Sequence, residues 1–225
     1  SVQRVHPLLR YIIKRIKAAN TFSTGTVLRI LTVHRFLFHF QRRLLMIIDV
    51  AKIAKSCKIK LPDLITRPVG RKLYATVKEK LEFAGRGETV LLDFAGVKVI
   101  DSSCIDELIV RLIQDSYARD FYIKLRNVSP ISEINIDSVF SSYSNYRDRR
   151  IAVVREELGR NNKFYIGPLS ETERDVIDYL RLNHRASVTD LSIFSGMEKE
   201  TASSLIDGLT SIRVIKKENG DFISI

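Results

Sequence analysis

The sequence predicts an α/β sheet covered by helices, followed by a smaller helical module that ends in a β-hairpin. Two patterns carry that expectation. Between residues 67 and 140, apolar runs of strand length alternate with segments whose apolar residues recur at helical spacing. After residue 169, three short helical patterns precede two strand-length runs joined by Asn219-Gly220. Hydrophobic residues make up 45% of the chain and charged residues 28%. That balance excludes a disordered or collagen-like polypeptide, and 225 residues suit one or two domains. No uncharged apolar run approaches the roughly 18 residues of a bilayer span. Cys57 and Cys104 are too few for a disulfide framework and read as free thiols of a reducing, cytoplasmic compartment.

The first helix of the α/β region is expected to open at Arg67-Pro68, because proline suits a first helical turn. Leu73, Val77, Leu81 and Phe83 share one face, and Gly85 and Gly87 stop the helix. Thr89-Val90-Leu91-Leu92-Asp93-Phe94 has the near-continuous apolar character of a strand covered on both faces. Past Gly96, Val97-Lys98-Val99-Ile100 continues extended and leads to Asp101-Ser102-Ser103. Cys104, Ile105, Leu108, Ile109, Leu112 and Ile113 then recur at helical spacing, with Asp106, Glu107 and Arg111 expected to face away. Ser103 followed by Asp106 has the form of a helix cap. Tyr122-Ile123-Lys124-Leu125 reads as a further strand. Ser129-Pro130 opens a helix carrying Ile131, Ile134, Ile136, Val139 and Phe140.

The stretch Leu91-Leu92-Asp93-Phe94-Ala95-Gly96-Val97-Lys98-Val99-Ile100-Asp101-Ser102-Ser103 resembles the signature of STAS domains, the family of bacterial anti-sigma factor antagonists. The resemblance covers about residues 67–145 and implies a STAS-like domain over 49–145. It also implies a regulatory surface on the helix after the strand, with a partner kinase phosphorylating the second hydroxyl residue, here Ser103. Asp101, Ser102, Asp106 and Glu107 then form the partner surface, opposite an ATP-binding kinase or anti-sigma-like protein. Where that family has Gly after the modified residue, this sequence has Cys104. Two roles for Ser103 follow from chemistry alone. It can cap the helix by satisfying an orphan backbone N–H, or it can carry a phosphate of about −1.5 to −2 charge. The helix dipole favours that phosphate, whereas Asp101, Asp106 and Glu107 repel it.

Residues 146–168 are basic and are expected to form a connector, punctuated by Asn161-Asn162 and Gly167-Pro168. Ser170-Glu171-Thr172-Glu173 is a capping box ahead of Val176, Ile177, Leu180 and Leu182. Thr189 is expected to cap a second helix through Leu191, Ile193 and Phe194, and Gly196 makes the turn. A third helix carries Ala202, Leu205, Ile206 and Leu209 before the hairpin. This order over 169–225 looks like a winged helix-turn-helix domain. In DNA-binding members the third helix enters the major groove, which makes Lys199, Thr201 and Ser203 candidate DNA contacts, with Lys216 and Lys217 in the wing. Glu198, Glu200 and Asp207 share that helix, and the module's net charge is −3. Phosphate affinity rests on Lys and Arg, so a protein-contact role stands beside the DNA one.

The formal net charge of +11 resides largely elsewhere: residues 1–48 hold nine bases and no acid. This basic segment also carries His6, His34, His39 and Phe36-Leu37-Phe38-His39-Phe40. It is expected to be a poorly ordered appendage, upstream sequence ahead of a start at Met46, a transit peptide, or a basic arm for nucleic acid or a membrane surface. Its histidine spacing matches no metal-ligand pattern, and no metal or cofactor is expected. No Gly-rich phosphate loop, His-Glu-x-x-His or Gly-x-Ser-x-Gly occurs, so no catalytic residues are proposed. Cys104 reads as a packing residue and Cys57 as exposed. The expected function is a non-enzymatic regulator: a transcriptional regulator with a STAS-like receiving domain and a winged helix, or an adaptor in a partner-switching system that does not touch DNA.

Overall fold

The computed structural model describes residues 46–225; the expectations for residues 1–45 lie outside the described residues. Along the chain come β1 (Met46–Asp49), α1 (Val50–Ser56), β2 (Asp63–Leu64), α2 (Arg67–Leu81), β3 (Thr89–Asp93) and β4 (Val99–Ile100). A continuous helix, α3, follows: an α-helical start (Ser102–Ile105), a π turn (Asp106–Val110) and an α-helical remainder (Arg111–Arg119). Then come β5 (Tyr122–Arg126), α4 (Pro130–Arg147), β6 (Val153–Arg155) and β7 (Tyr165–Ile166). The last stretch holds α5 (Glu171–Asn183), β8 (Arg185–Ala186), α6 (Val188–Ser195), α7 (Lys199–Ser211), β9 (Ile215–Glu218) and β10 (Asp221–Ser224).

The main sheet has the order β1-β3-β5-β6-β7, parallel except for β7. Its middle strand explains itself. Val90, Leu91 and Leu92 are all buried, as a strand covered on both faces requires. The segment boundary expected after residue 48 falls inside β1, where Met46 is in register with Val90 and Asp49 with Asp93. Val97–Ile100 does not extend β3. Gly96 at φ 79° makes a turn closed by Val97 N–H donating to the Phe94 carbonyl (2.9 Å), and β4 then pairs with β2 in a separate two-stranded ladder. The apolar face of α2 stops at Leu81, and Phe83, expected on it, is 84% exposed. On α4, Ile136, Phe140 and Tyr143 face the core, while Ile131 and Ile134 point to solvent.

The expected connector is the largest revision. Residues 146–168 contribute β6 and β7 to the sheet, and their side chains alternate between two cores. Val153 and Ile166 pack into the core built by α1–α4. Ala152, Val154 and Tyr165 pack with Val176, Ile177, Leu180, Leu209 and Phe222 of the C-terminal module. A basic composition concealed a shared wall.

In that module α5, α6 and α7 pack on a three-stranded antiparallel sheet of order β8-β10-β9. Ser170 and Glu173 form the capping box read from the sequence. The second helix is capped by Ser187 rather than Thr189, since the extended backbone of Ser187 lets its Oγ accept the Asp190 N–H at 3.2 Å. Asn219 (φ 54°) and Gly220 (φ 91°) make the two-residue hairpin turn. Leu182 lies outside the module's core, 80% exposed.

Candidate functional site

The sequence concentrates its candidate residues at the start of α3. Asp101, not Ser103, is the N-cap there. Its extended backbone (φ −84°, ψ 165°) places Oδ1 2.7 Å from the Cys104 N–H, which donates to it. Oδ2 accepts the Thr66 N–H at 2.9 Å, tying the entry of α2 to the entry of α3. Ser103 already lies within the first turn, where its Oγ donates to Asp101 Oδ1 at 3.0 Å. Ser103 is half-buried; Ser102 beside it is exposed. The capping role therefore moves to Asp101, and two hydroxyls decorate the capped turn.

Behind this turn α2 and α3 come very close. A Cβ on Gly70 would lie 2.9 Å from Cys104 Cα, from the Cys104 carbonyl and from Glu107 Cβ. Only glycine fits. The small residue of this contact stands on α2, which leaves Cys104 free to bury its side chain completely. Burial in that apolar contact pushes the Cys104 thiol up to about 12, so it packs as a protonated group.

Glu107, expected to face away as part of a partner surface, is instead buried, with 3% of its side chain exposed. Arg67 Nη1 and Arg71 Nε donate to its Oε1 at 2.8 and 3.1 Å, and Arg111 Nη2 lies 3.1 Å from Oε2 in an ion pair not aligned as a hydrogen bond. A buried carboxylate needs such compensation. Burial pushes its pKa up, but the hydrogen bonds from Arg67 and Arg71 outweigh that and hold it below the ordinary glutamate range. Asp106 is half-buried. It accepts hydrogen bonds from the Tyr143 hydroxyl and from Arg67 Nη1 (3.0 Å). Desolvation raises its pKa, and those two donors more than reverse the effect. The outcome is a set of ionised carboxylates that lock α2, α3 and α4 together beneath Ser102 and Ser103.

Sequence reasoning missed Arg67, Gly70, Arg71 and Tyr143. A signal existed: Arg67 and Arg71 are four residues apart on one helix face, as are Glu107 and Arg111 on another. Tyr143 carried none. Cys57, read as exposed, is buried, with Sγ 3.3 Å from Thr76 Oγ1.

The C-terminal candidates separate into two groups. Lys199 and Thr201 are exposed on the first turn of α7, Ser203 is half-exposed, and Lys217 is exposed on β9. Lys216 is not available to a ligand: its Nζ donates to the Gly87 carbonyl at 2.9 Å, in the loop before β3. Arg213 does the same work nearby, 2.9 Å from Asp120 and 5.0 Å above the Tyr122 ring. Among the described residues no group of His, Cys, Asp and Glu is placed to hold a metal ion, and no helix is long and apolar enough to cross a membrane.

A search of the curated proteins found no match to the chain. Residues 69–131, which run from within the first turn of α2 to the first residues of α4 and include the capped start of α3, match a family model described as a STAS-like domain of unknown function.

Proposed function

We propose that this chain is a non-enzymatic cytoplasmic regulator whose STAS-like part docks a protein partner on the start of α3, with Ser102 and Ser103 at the contact. One observation carries the reading: an exposed Ser102 and a half-buried Ser103 sit on a helix turn capped by Asp101 and braced by the buried Glu107–arginine cluster. A rigid helix start presents a surface that added charge alters without unfolding. A kinase-like partner is the counterpart the STAS resemblance suggests. The test is affinity capture with the full chain, comparing wild type, Ser103→Asp and Ser103→Ala by quantitative mass spectrometry. A partner retained by Ser103→Ala and lost with Ser103→Asp is the expected result. Equal recovery with all three chains, or no partner at all, ends the proposal.

A second reading, sequence-specific DNA binding, is favoured by the three helices and antiparallel sheet of the C-terminal module, an arrangement like a winged helix-turn-helix. Lys199, Thr201, Ser203 and Lys217 would carry it, without Lys216, which is engaged within the chain. Acids outnumber bases on α7, with Glu200 and Asp207 against Lys199, which disfavours phosphate contact. If DNA is bound here, Lys199→Ala with Lys217→Ala weakens binding and flattens the salt slope by up to about two. A slope unchanged by the pair assigns any affinity to other bases, those of residues 1–48 included.

A further inference from the structure

A groove of about 630 Å³ runs along the loop between α1 and α2 to the first turns of α2. Its walls include Ile59, Leu61, Ile65 and Val69, with Ile65 half-exposed to water. Lys58, Lys60 and Lys72 line it as well, all three exposed and, among the described residues, none with a hydrogen-bond or ion-pair partner on its ammonium group. Asp63 is the single acid among these lining residues. Apolar walls are costly to leave in water, and with exposed ammonium groups beside them they fit a ligand that carries both apolar and anionic groups.

We infer that this groove receives an acidic, apolar-rich peptide segment of a protein partner, with carboxylates on Lys58, Lys60 and Lys72 and apolar side chains on the walls between them. Two features select a peptide. Among the described residues no aromatic side chain lines the groove to stack a nucleic-acid base. Thr66 in the groove wall also donates its N–H to Asp101, the cap of α3, so an occupant of the groove lies next to the α3 surface proposed above as a docking site. The inference rests on that reading and adds the partner's chemistry. It also supplies a mechanism of release, because a phosphate on Ser102 or Ser103, next to Asp101, adds negative charge beside a site built to receive negative charge.

The probe is a short fluorescein-labelled peptide alternating glutamate and leucine, titrated by anisotropy into the full chain, with the glutamine version as control. The variant is the triple change Lys58→Gln, Lys60→Gln, Lys72→Gln, whose exposed positions keep the fold intact. Saturable binding of the acidic peptide, weakened about tenfold by the triple change and falling with salt, is expected. No binding, equal binding of the glutamine peptide, or binding indifferent to the triple change overturns the proposal. Preferential binding of oleate or anionic vesicles with the same lysine dependence also overturns it, in favour of a lipid. The two proposals fail separately. A captured partner whose binding ignores the triple change removes the groove and leaves the docking reading. Lysine-dependent peptide binding without a Ser103-sensitive partner does the reverse.

Discussion

Single side chains decide the behaviour of the α3 start. Asp101 satisfies the Cys104 and Thr66 amides and accepts from Ser103, so Asp101→Ala should cost about 1–2 kcal/mol in urea unfolding, the upper range for a lost N-cap. Ser103→Ala removes only a donor to that cap and should cost less than Asp101→Ala in the same experiment. Gly70→Ala forces a methyl to within 2.9 Å of the Cys104 backbone, where nothing can swing aside, and should cost about 1–3 kcal/mol by overpacking. Glu107 predicts a pH dependence. Its folded pKa is depressed, so its contribution is fully present above its unfolded value of roughly 4.3 and is lost as pH falls through the folded value. Glu107→Gln should therefore lower stability at pH 7 by about 1.5–3 kcal/mol and flatten the acid limb of stability against pH. An acid limb identical to wild type would show that Glu107 is not held ionised.

At the scale of elements, the hairpin is a strut between the two halves. Arg213, just before β9, pairs with Asp120 and lies over Tyr122, while Lys216 on β9 reaches the Gly87 carbonyl. All three acceptor residues sit at the amino ends of β3 and β5. The α3 start follows β4, reached through the carboxyl end of β3, so docking and the strut use different loops of the sheet. Arg213→Ala combined with Lys216→Ala should speed amide hydrogen exchange in β9 and β10 and leave exchange in β3 and α3 unchanged. Unchanged exchange in the hairpin would mean the shared core, not the strut, holds the halves together. Short elements such as these were legible because their turn chemistry is local: the Ser170–Glu173 box and the Asn219-Gly220 turn need no tertiary partner.

Over the whole molecule, β6 and β7 make the two cores one cooperative structure. Val154 and Tyr165 complete the core of the C-terminal module, and Val153 and Ile166 complete the other. The full chain should therefore unfold in a single transition, with far-UV circular dichroism and tyrosine emission coinciding. The 169–225 fragment lacks Ala152, Val154 and Tyr165 and should melt broadly or fail to fold, whereas a fragment from residue 150 onward should melt more sharply. Two resolved transitions in the full chain would show independent domains.

By itself the sequence determined whatever depends on near neighbours along the chain: the buried strand at Thr89–Asp93, the amphipathic helices, the capping box and the hairpin turn. Hydrophobic periodicity and turn preference act over a few residues and so place these elements, while packing set their ends and faces: Phe83 and Leu182 ended exposed, and the caps of α3 and α6 fell to Asp101 and Ser187. Tertiary structure alone decided which polar residues are surface and which are buried. Glu107 has the composition of an exposed helix residue, yet two arginines forty and thirty-six positions away make its burial possible. Residues 146–168 read as a basic linker because strands this short have almost no periodicity to detect, and only their neighbours β5 and the C-terminal core give them a place. Lys216 looked like a free wing cation until folding brought Gly87 to it, across 129 positions of chain. Contacts between distant segments cost loop-closure entropy and are repaid only in the assembled fold, so they leave no local trace.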